Sequence, residues 1–129
     1  MFYCMVAGTR TFTNEPTFYA IMDKLLANHT DITIVAGGAH GADELAKQYA
    51  KTKGYAYKEF PAEWDLYGKR AGFVRNKAMH KYIAQFEKRG VVLFWDGQSR
   101  GTAHSFSLAK TYNNPLRCYN YITQSYIHN

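Results

Sequence analysis

Apolar and polar positions along this chain follow two alternating periods. Phe2 to Ala7 is a short apolar run that ends in Gly8, as a buried strand does. Phe18, Ile21, Met22, Leu25 and Leu26 then recur at helical spacing, with Asn14 placed to cap the helix and Pro16 in its first turn. Ile32 to Ala36 is a second strand-like run, closed by Gly37-Gly38. Ala42, Leu45, Ala46, Tyr49 and Ala50 form a second helical stripe that Gly54 stops. Tyr55 to Phe60 is a third strand ended by Pro61, and Pro61 to Gly72 is a long connection. Val74, Ala78, Met79, Tyr82, Ile83 and Phe86 share a third helical stripe, ended by Gly90. Val91 to Trp95 is uniformly apolar, as expected of a strand covered on both faces. A Gly-rich turn from Asp96 to Gly101, a helix from Thr102 to Tyr112 and a strand from Leu116 to Tyr121 complete the pattern, while 122–129 carry no clear signal.

Strand and helix alternating in this way imply βαβ units. The expected fold is α/β: a Rossmann-like, mostly parallel sheet of about five strands with helices on both faces, in a single domain over 1–129. A chain of 129 residues with 47% hydrophobic and 20% charged residues suits one core and argues against disorder.

The polar chemistry gathers at the carboxyl ends of three strands, where ligands bind in open α/β sheets. The first strand runs into Gly8-Thr9-Arg10 and the second into Gly37-Gly38-Ala39-His40-Gly41-Ala42-Asp43. The fourth runs into Asp96-Gly97-Gln98-Ser99-Arg100-Gly101-Thr102. Glycine lets the backbone approach a ligand, and a following helix offers unpaired N–H groups and the positive end of its dipole, so such turns hold anions. Thr9, Ser99 and Thr102 add hydroxyls; Arg10 and Arg100 add charge-assisted donors. Glycines also make ordinary tight turns, but three such loops at one rim favour a site. They match neither the P-loop nor the strict dinucleotide fingerprint, so neither ATP hydrolysis nor NAD-linked redox chemistry follows.

Asp43 stands in the first turn of its helix, where it either complements the dipole or accepts from ribose hydroxyls. His40 is a loop histidine of ordinary solvent-facing kind or a ligand contact. Arg75 falls on an otherwise apolar stripe, where a charge must snorkel, pair or meet an anion, and Asn76 follows it. Trp64 and Tyr67 could stack on a base or cap the core.

Charge and cysteine content narrow the partners. The formal net charge of +6, with a pI of about 9.3, favours anions. The basic residues are spread without a Lys/Arg block, so dedicated nucleic-acid binding is not favoured. Cys4 and Cys118 sit in apolar runs and are expected to be reduced core thiols; two distant cysteines do not make a metal site, and neither metal nor cofactor is expected. The start of the chain lacks a basic n-region, and no apolar run approaches the ~20 residues of a membrane span, so a cytoplasmic protein without membrane contact is expected.

Taken in order, several segments resemble the SLOG superfamily, and within it the YspA-like branch. They are Ala7-Gly8-Thr9-Arg10, Ala36 to Asp43, Pro61-Ala62-Glu63-Trp64-Asp65, Gly68 to Gly72, Arg75-Asn76-Lys77-Ala78-Met79 and Phe94 to Thr102. The superfamily includes the lonely-guy phosphoribohydrolases and relatives of the DNA-processing protein DprA. The resemblance covers roughly residues 2–120 and implies a ligand built of a base, a ribose and phosphate, with dimers common. In the phosphoribohydrolases a Pro-Gly-Gly-x-Gly-Thr-x-x-Glu turn holds phosphate and supplies a catalytic glutamate, helped by an arginine on the preceding helix. Arg75 matches the arginine and Gly101-Thr102 the Gly-Thr, but the glutamate position is Ser105 and Asp96-Gly97 replace the Pro-Gly.

That substitution leaves enzymatic activity open. An oxocarbenium-like transition state wants a nearby carboxylate, which Asp96, Asp43 or Glu63 would have to supply. The leading expectation is a module that binds a nucleotide-derived, phosphate-bearing small molecule and senses, carries or sequesters it, through Gly8, Thr9, Arg10, Gly37, Gly38, His40, Gly41, Asp43, Trp64, Arg75, Asn76, Asp96, Gly97, Ser99, Gly101 and Thr102. The alternatives are a nucleoside-monophosphate phosphoribohydrolase and a DprA-like binder of single strands. A homo-oligomer is expected, with Tyr112, Tyr119, Tyr121 and Tyr126 forming either a contact surface or part of the core.

Overall fold

The computed structural model describes residues 1–127. The elements are β1 (Phe2–Gly8), α1 (Glu15–Leu26), β2 (Ile32–Ala36), α2 (Ala42–Lys53), β3 (Ala56–Glu59), α3 (Trp64–Tyr67), a 3-10 turn (Gly68–Arg70), α4 (Ala71–Ile83), β4 (Arg89–Trp95), α5 (Arg100–Thr111), β5 (Leu116–Asn120) and β6 (Ser125–Ile127). One sheet takes the order β3-β2-β1-β4-β5-β6. Its pairs are parallel except for the antiparallel β5–β6. The fold is therefore the expected Rossmann-like α/β arrangement, with six strands.

Strand order decides where a crevice opens. From β1 the chain steps to β2 and β3 on one side, then returns to place β4 and β5 on the other. The helices leaving β1 and β4 diverge at this reversal, which leaves a cleft outside the carboxyl ends of those two strands.

Alternation along the strands divides the core in two. Cys4, Val6, Ile34, Ala36, Val92 and Phe94 face α1 and α2, packing on Phe18, Met22, Leu26 and Tyr49. Met5, Ala7, Val35, Val91, Leu93 and Cys118 face the other way, onto Met79 and Ile83 of α4 and Phe106 of α5. The period of two along each strand thus covers both faces of the sheet. Asn14 caps α1 by accepting from Thr17 N–H at 3.1 Å. The two thiols are buried and unbonded, on opposite faces of the sheet; burial pushes Cys4 up to about 12 and Cys118 up to about 11. Among the described residues, no helix is long and apolar enough to cross a membrane.

Three elements depart from the expected pattern. The third long helix ends at Ile83, and Gly90 lies inside β4 opposite Cys4, where a side chain would press on the Phe2 ring. The long connection holds two short helical turns, Trp64–Tyr67 and Gly68–Arg70. Beyond β5 the chain reverses instead of trailing off: Asn120 Oδ1 accepts from Ile122 and Thr123 N–H at 2.9 and 3.1 Å, and β6 returns with Tyr126 opposite Tyr119. An asparagine closing a turn through its own side chain is the physical signal for that hairpin. Tyr119 and Tyr121 pack on the core, Tyr121 lying 4.5 Å from the Phe12 ring, and so extend the α1–α2 face of the sheet. Residues 128–129 of the featureless tail lie outside the described part.

Candidate functional site

The loops after β1, β2 and β4 meet at the carboxyl edge because their strands are neighbours, and backbone bonds lock them together. Thr9 N–H donates to the Phe94 carbonyl at 2.9 Å, and Thr9 O accepts from Ala42 N–H at 3.4 Å. Thr9 Oγ1, buried, accepts from Asp96 N–H at 3.3 Å. Gly41 sits beneath this crossing with φ 74° and ψ −124°, and any Cβ there would meet the carbonyls of Thr9 and Arg10. No other residue type fits that position.

Around this lock lies a cleft of about 360 Å³. Gly8, Thr9, Arg10 and Thr11 form one wall and Ser99, Gly101, Thr102 and Ser105 another, with Asp43, Trp64, Lys69, Phe73, Arg75 and Asn76 between them. A second hollow of about 380 Å³ adjoins it, lined by Gly37, Gly38, Ala39, His40, Pro61 and Ala62. Arg10, Ala39, Trp64 and Arg75 belong to both.

Arg75 is pinned in place. Its Nη1 donates to the Gly37 carbonyl at 2.7 Å and its Nε to Asn76 Oδ1 at 2.9 Å, while Nη2 lies beside Gly72 in the cleft. Burial pulls its pKa down, Asp43 opposes that, and Arg10 adds to it. Among the described residues neither Arg10, Lys69 nor Arg75 forms an ion pair; the pairs that exist lie elsewhere, such as Lys53 with Asp23 at 3.0 Å and Lys47 with Glu59 at 3.8 Å. Arg10 instead stands 5.8 Å from the Trp64 ring centre. Trp64 is 50% exposed, so the ring keeps open surface beyond its contact with Arg10.

Asp43 is the acid of the cleft and is only 4% exposed. Its Oδ2 accepts from Ala39 N–H at 3.1 Å, which closes the loop, but its buried Oδ1 has no partner. Burial raises its pKa, with Arg75, the Ala39 N–H and Arg10 pulling the other way. A buried acceptor left without a donor costs about 1–3 kcal/mol, a penalty that a ligand hydroxyl or amine removes. Across the cleft Ser105, fully buried on α5, also leaves its Oγ unpartnered.

The N-terminal end of α5 borders the cleft. Ser99 caps it: its Oγ accepts from Thr102 N–H at 3.4 Å and from Thr102 Oγ1 at 3.2 Å. Asn76 Nδ2 reaches the Gly101 carbonyl at 3.4 Å and ties α4 to the same end. The positive pole of a twelve-residue helix therefore faces the cleft beside Arg75 and Lys69.

Several sequence-selected residues lie outside the cleft lining. Asp96 is spent on its own loop, where Oδ1 accepts from Gln98 and Ser99 N–H at 2.8 Å each, and those bonds hold its pKa low. Gly97 lies behind, against the Asn120 side chain, and Gly41 underlies the loops. Glu63 and Tyr67 are exposed and line neither hollow. Of the three carboxylates that could serve a reaction, Asp43 alone lines the cleft. His40 is exposed, within 3.9 Å of Glu44, in the second hollow. Residues passed over include Lys69, Phe73 and Thr11. Lys69, Gly72 and Asn76 are spaced three and four apart, a helical face that was legible in the chain. Phe73 is 43% exposed and stands edge-on to His104 at 4.8 Å. Among the described residues no group of three or more His, Cys, Asp or Glu could hold a metal ion.

Residues 4–67, which carry β1 to α3 and two of the three loops, match the family model "YspA, cpYpsA-related SLOG family". This chain belongs to the SLOG superfamily. It is also similar to the "Gene 61 protein" of Mycobacterium phage D29, 29% identical over 118 residues, covering 87% of this chain and 91% of that protein. In this SLOG protein the matched segment contributes Gly8, Thr9, Arg10, Asp43 and Trp64; Arg75, Asn76 and the cap of α5 come from the unmatched half.

Proposed function

We propose that the cleft of this SLOG protein binds a nucleotide-derived, phosphate-bearing small molecule and senses, carries or sequesters it. The observation that carries the proposal is the charge arrangement: Arg10, Lys69 and Arg75 line one cleft at the positive end of α5, and among the described residues none of them is ion-paired with a carboxylate. Phosphate belongs with Arg75 and the α5 end. Asp43 Oδ1 takes a ribose hydroxyl, and the open Trp64 face takes a base. Two buried, unbonded thiols agree with a reducing compartment such as the cytoplasm.

A second reading has its own support. Asp43 is a buried carboxyl whose proton is held more tightly than usual, which suits an acid that protonates a leaving base in N-glycosidic cleavage. One experiment separates the two. The protein is purified natively and denatured, and released small molecules are identified by mass spectrometry, with Arg75→Ala alongside. An intact nucleotide derivative, lost in the variant, supports the binding module; a separated base and ribose phosphate supports the glycosidase. An empty protein that also fails to bind added nucleotides in calorimetry overturns both.

A further inference from the structure

Charge divides this chain unevenly. Up to Tyr67 it holds six lysines and arginines against eight carboxylates; from Gly68 on it holds ten against two, Glu87 and Asp96. Those later cations are scattered in sequence, and the fold gathers five of them. Arg70, Phe73, Lys77 and Lys81 are exposed at spacings of three and four, which puts them on one side of α4 and the turn before it. Arg100, Ser107, Lys110 and Thr111 are the exposed residues of α5. The two helices lie side by side, since Phe73 stands edge-on to His104 at 4.8 Å and Asn76 Nδ2 donates to the Gly101 carbonyl at 3.4 Å.

Neither helix carries a carboxylate. Asp65 and Glu87 lie outside both in the chain, and Asp96 is bonded within its own loop. Among the described residues every ion pair joins groups between Met1 and Glu59, so none of the five cations is paired. The opposite layer is balanced: α1 and α2 together carry four carboxylates and four lysines. Unpaired cations fixed on neighbouring helices repel one another, and a polyanion laid across them relieves that repulsion while releasing its own counterions.

We propose that the outer face of α4 and α5 binds double-stranded nucleic acid through its phosphates, without reading sequence. The face is separate from the cleft, because Arg70, Lys77, Lys81, Arg100 and Lys110 line neither hollow, and the proposal does not depend on the function proposed above. A protein or membrane partner calls for apolar anchors, and Phe73 is the only large apolar side chain exposed on either helix. Single strands are held by stacking on several aromatic rings, which one phenylalanine does not supply. A duplex asks only for spaced cations. The thirteen residues of α4 extend about 20 Å, the length of about six phosphates along one strand.

Fluorescence anisotropy with a labelled DNA duplex of about twenty base pairs tests this. At roughly 50 mM salt the protein is expected to bind with a micromolar Kd, and log K to fall with log salt at a slope of about −3 to −4.5, as for three to five phosphate contacts. Lys77→Gln/Lys81→Gln/Lys110→Gln is expected to weaken binding about tenfold or more and to flatten the slope by about 2.7. Lys24→Gln/Lys47→Gln/Lys51→Gln removes the same charge from the opposite layer and is expected to bind close to wild type. Equal loss in the two triples overturns the face and leaves attraction by net charge alone. Absence of duplex binding, tighter binding of the matching single strand, or equally strong competition by polyglutamate each overturns it too, as does capture by phosphatidylserine vesicles in place of duplex. Should a triple not fold, Lys77→Gln compared with Lys24→Gln at the same salt decides between the layers.

Discussion

The loops after β2 and β4 look alike in sequence and behave oppositely. Each follows a strand, carries glycines and opens a twelve-residue helix, with an aspartate in the β4 loop itself and another in the first turn of α2. In the β4 loop Asp96 accepts two backbone N–H bonds, is half-buried and has its pKa lowered. Just past the β2 loop, in the first turn of α2, Asp43 is buried, accepts one bond, leaves Oδ1 orphaned and has its pKa raised. The first aspartate is scaffold; the second is stored polar capacity facing a cleft. What separates them is depth: Asp43 is 4% exposed, whereas Asp96 is half-buried in a loop whose next residues, Gly97 and Gln98, are exposed.

The glycines give the largest expected effect. Gly41→Ala forces a side chain into φ 74° and against two carbonyls, and is expected to destabilise by about 2–4 kcal/mol in urea unfolding. A loss below about 1 kcal/mol would mean that the crossing at Thr9 yields, and the depth contrast would weaken.

Acid titration sharpens the contrast through its sign. Asp43 binds its proton more tightly when folded, so its stabilising effect is present below 3.8 and is lost as pH rises through its raised folded value. Asp96 contributes stability above 3.8 that is lost as pH falls through its lowered folded value. Buried His80, pushed down to about 4 by burial and by His104, adds a larger acid loss. Its stabilisation is present above 6.5 and falls by roughly 3 kcal/mol as pH drops toward 4. Melting temperature against pH is therefore compared with variants, so that the His80 background cancels. Relative to wild type, Asp43→Asn is expected to gain stability as pH rises from 3 to 7, and Asp96→Asn to lose it. Parallel curves for the two variants would erase the distinction.

At fixed neutral pH the same pair separates by role. Asp96→Ala removes both loop bonds and is expected to cost about 1–2 kcal/mol in denaturant unfolding. Asp43→Asn keeps an acceptor for Ala39 and removes a buried charge, so stability is held or raised while co-purified ligand is lost. Destabilisation by Asp43→Asn with ligand retained would assign Asp43 to the scaffold as well.

These outcomes also mark what the chain made legible. The alternation of Cys4, Met5, Val6 and Ala7, and the stripes on Phe18 and Tyr49, carry the layered sheet because period and burial coincide there. The three glycine loops were readable because helix starts after strands have few solutions. Depth was not readable: Asp43 is buried where the chain end of β1 crosses the start of α2, Thr9 O accepting from Ala42 N–H, a contact between residues far apart in the chain. Lys69 and Phe73 were passed over because their approach to the cleft depends on how Trp64–Tyr67 and Gly68–Arg70 fold back. The β5–β6 hairpin rested on the side chain of Asn120, a single-residue signal in an otherwise featureless tail.

The smallest effect concerns Gly97, the outward counterpart of Gly41. Its φ of 85° suits glycine, but its nearest neighbour is the flexible end of Asn120, with a would-be Cβ 3.1 Å from Nδ2. Gly97→Ala should therefore carry only the conformational cost, about 1 kcal/mol, because the amide can swing aside. Asn120 Oδ1 also holds the turn into β6, so the variant tests whether the outer loop is independent of that hairpin. A loss confined to about 1 kcal/mol, with ligand retained, keeps the β4 loop as a replaceable support. A loss as large as that of Gly41→Ala would show that the loop is braced through Asn120 to the sheet edge, and that the two glycine turns are equally deep in what they hold.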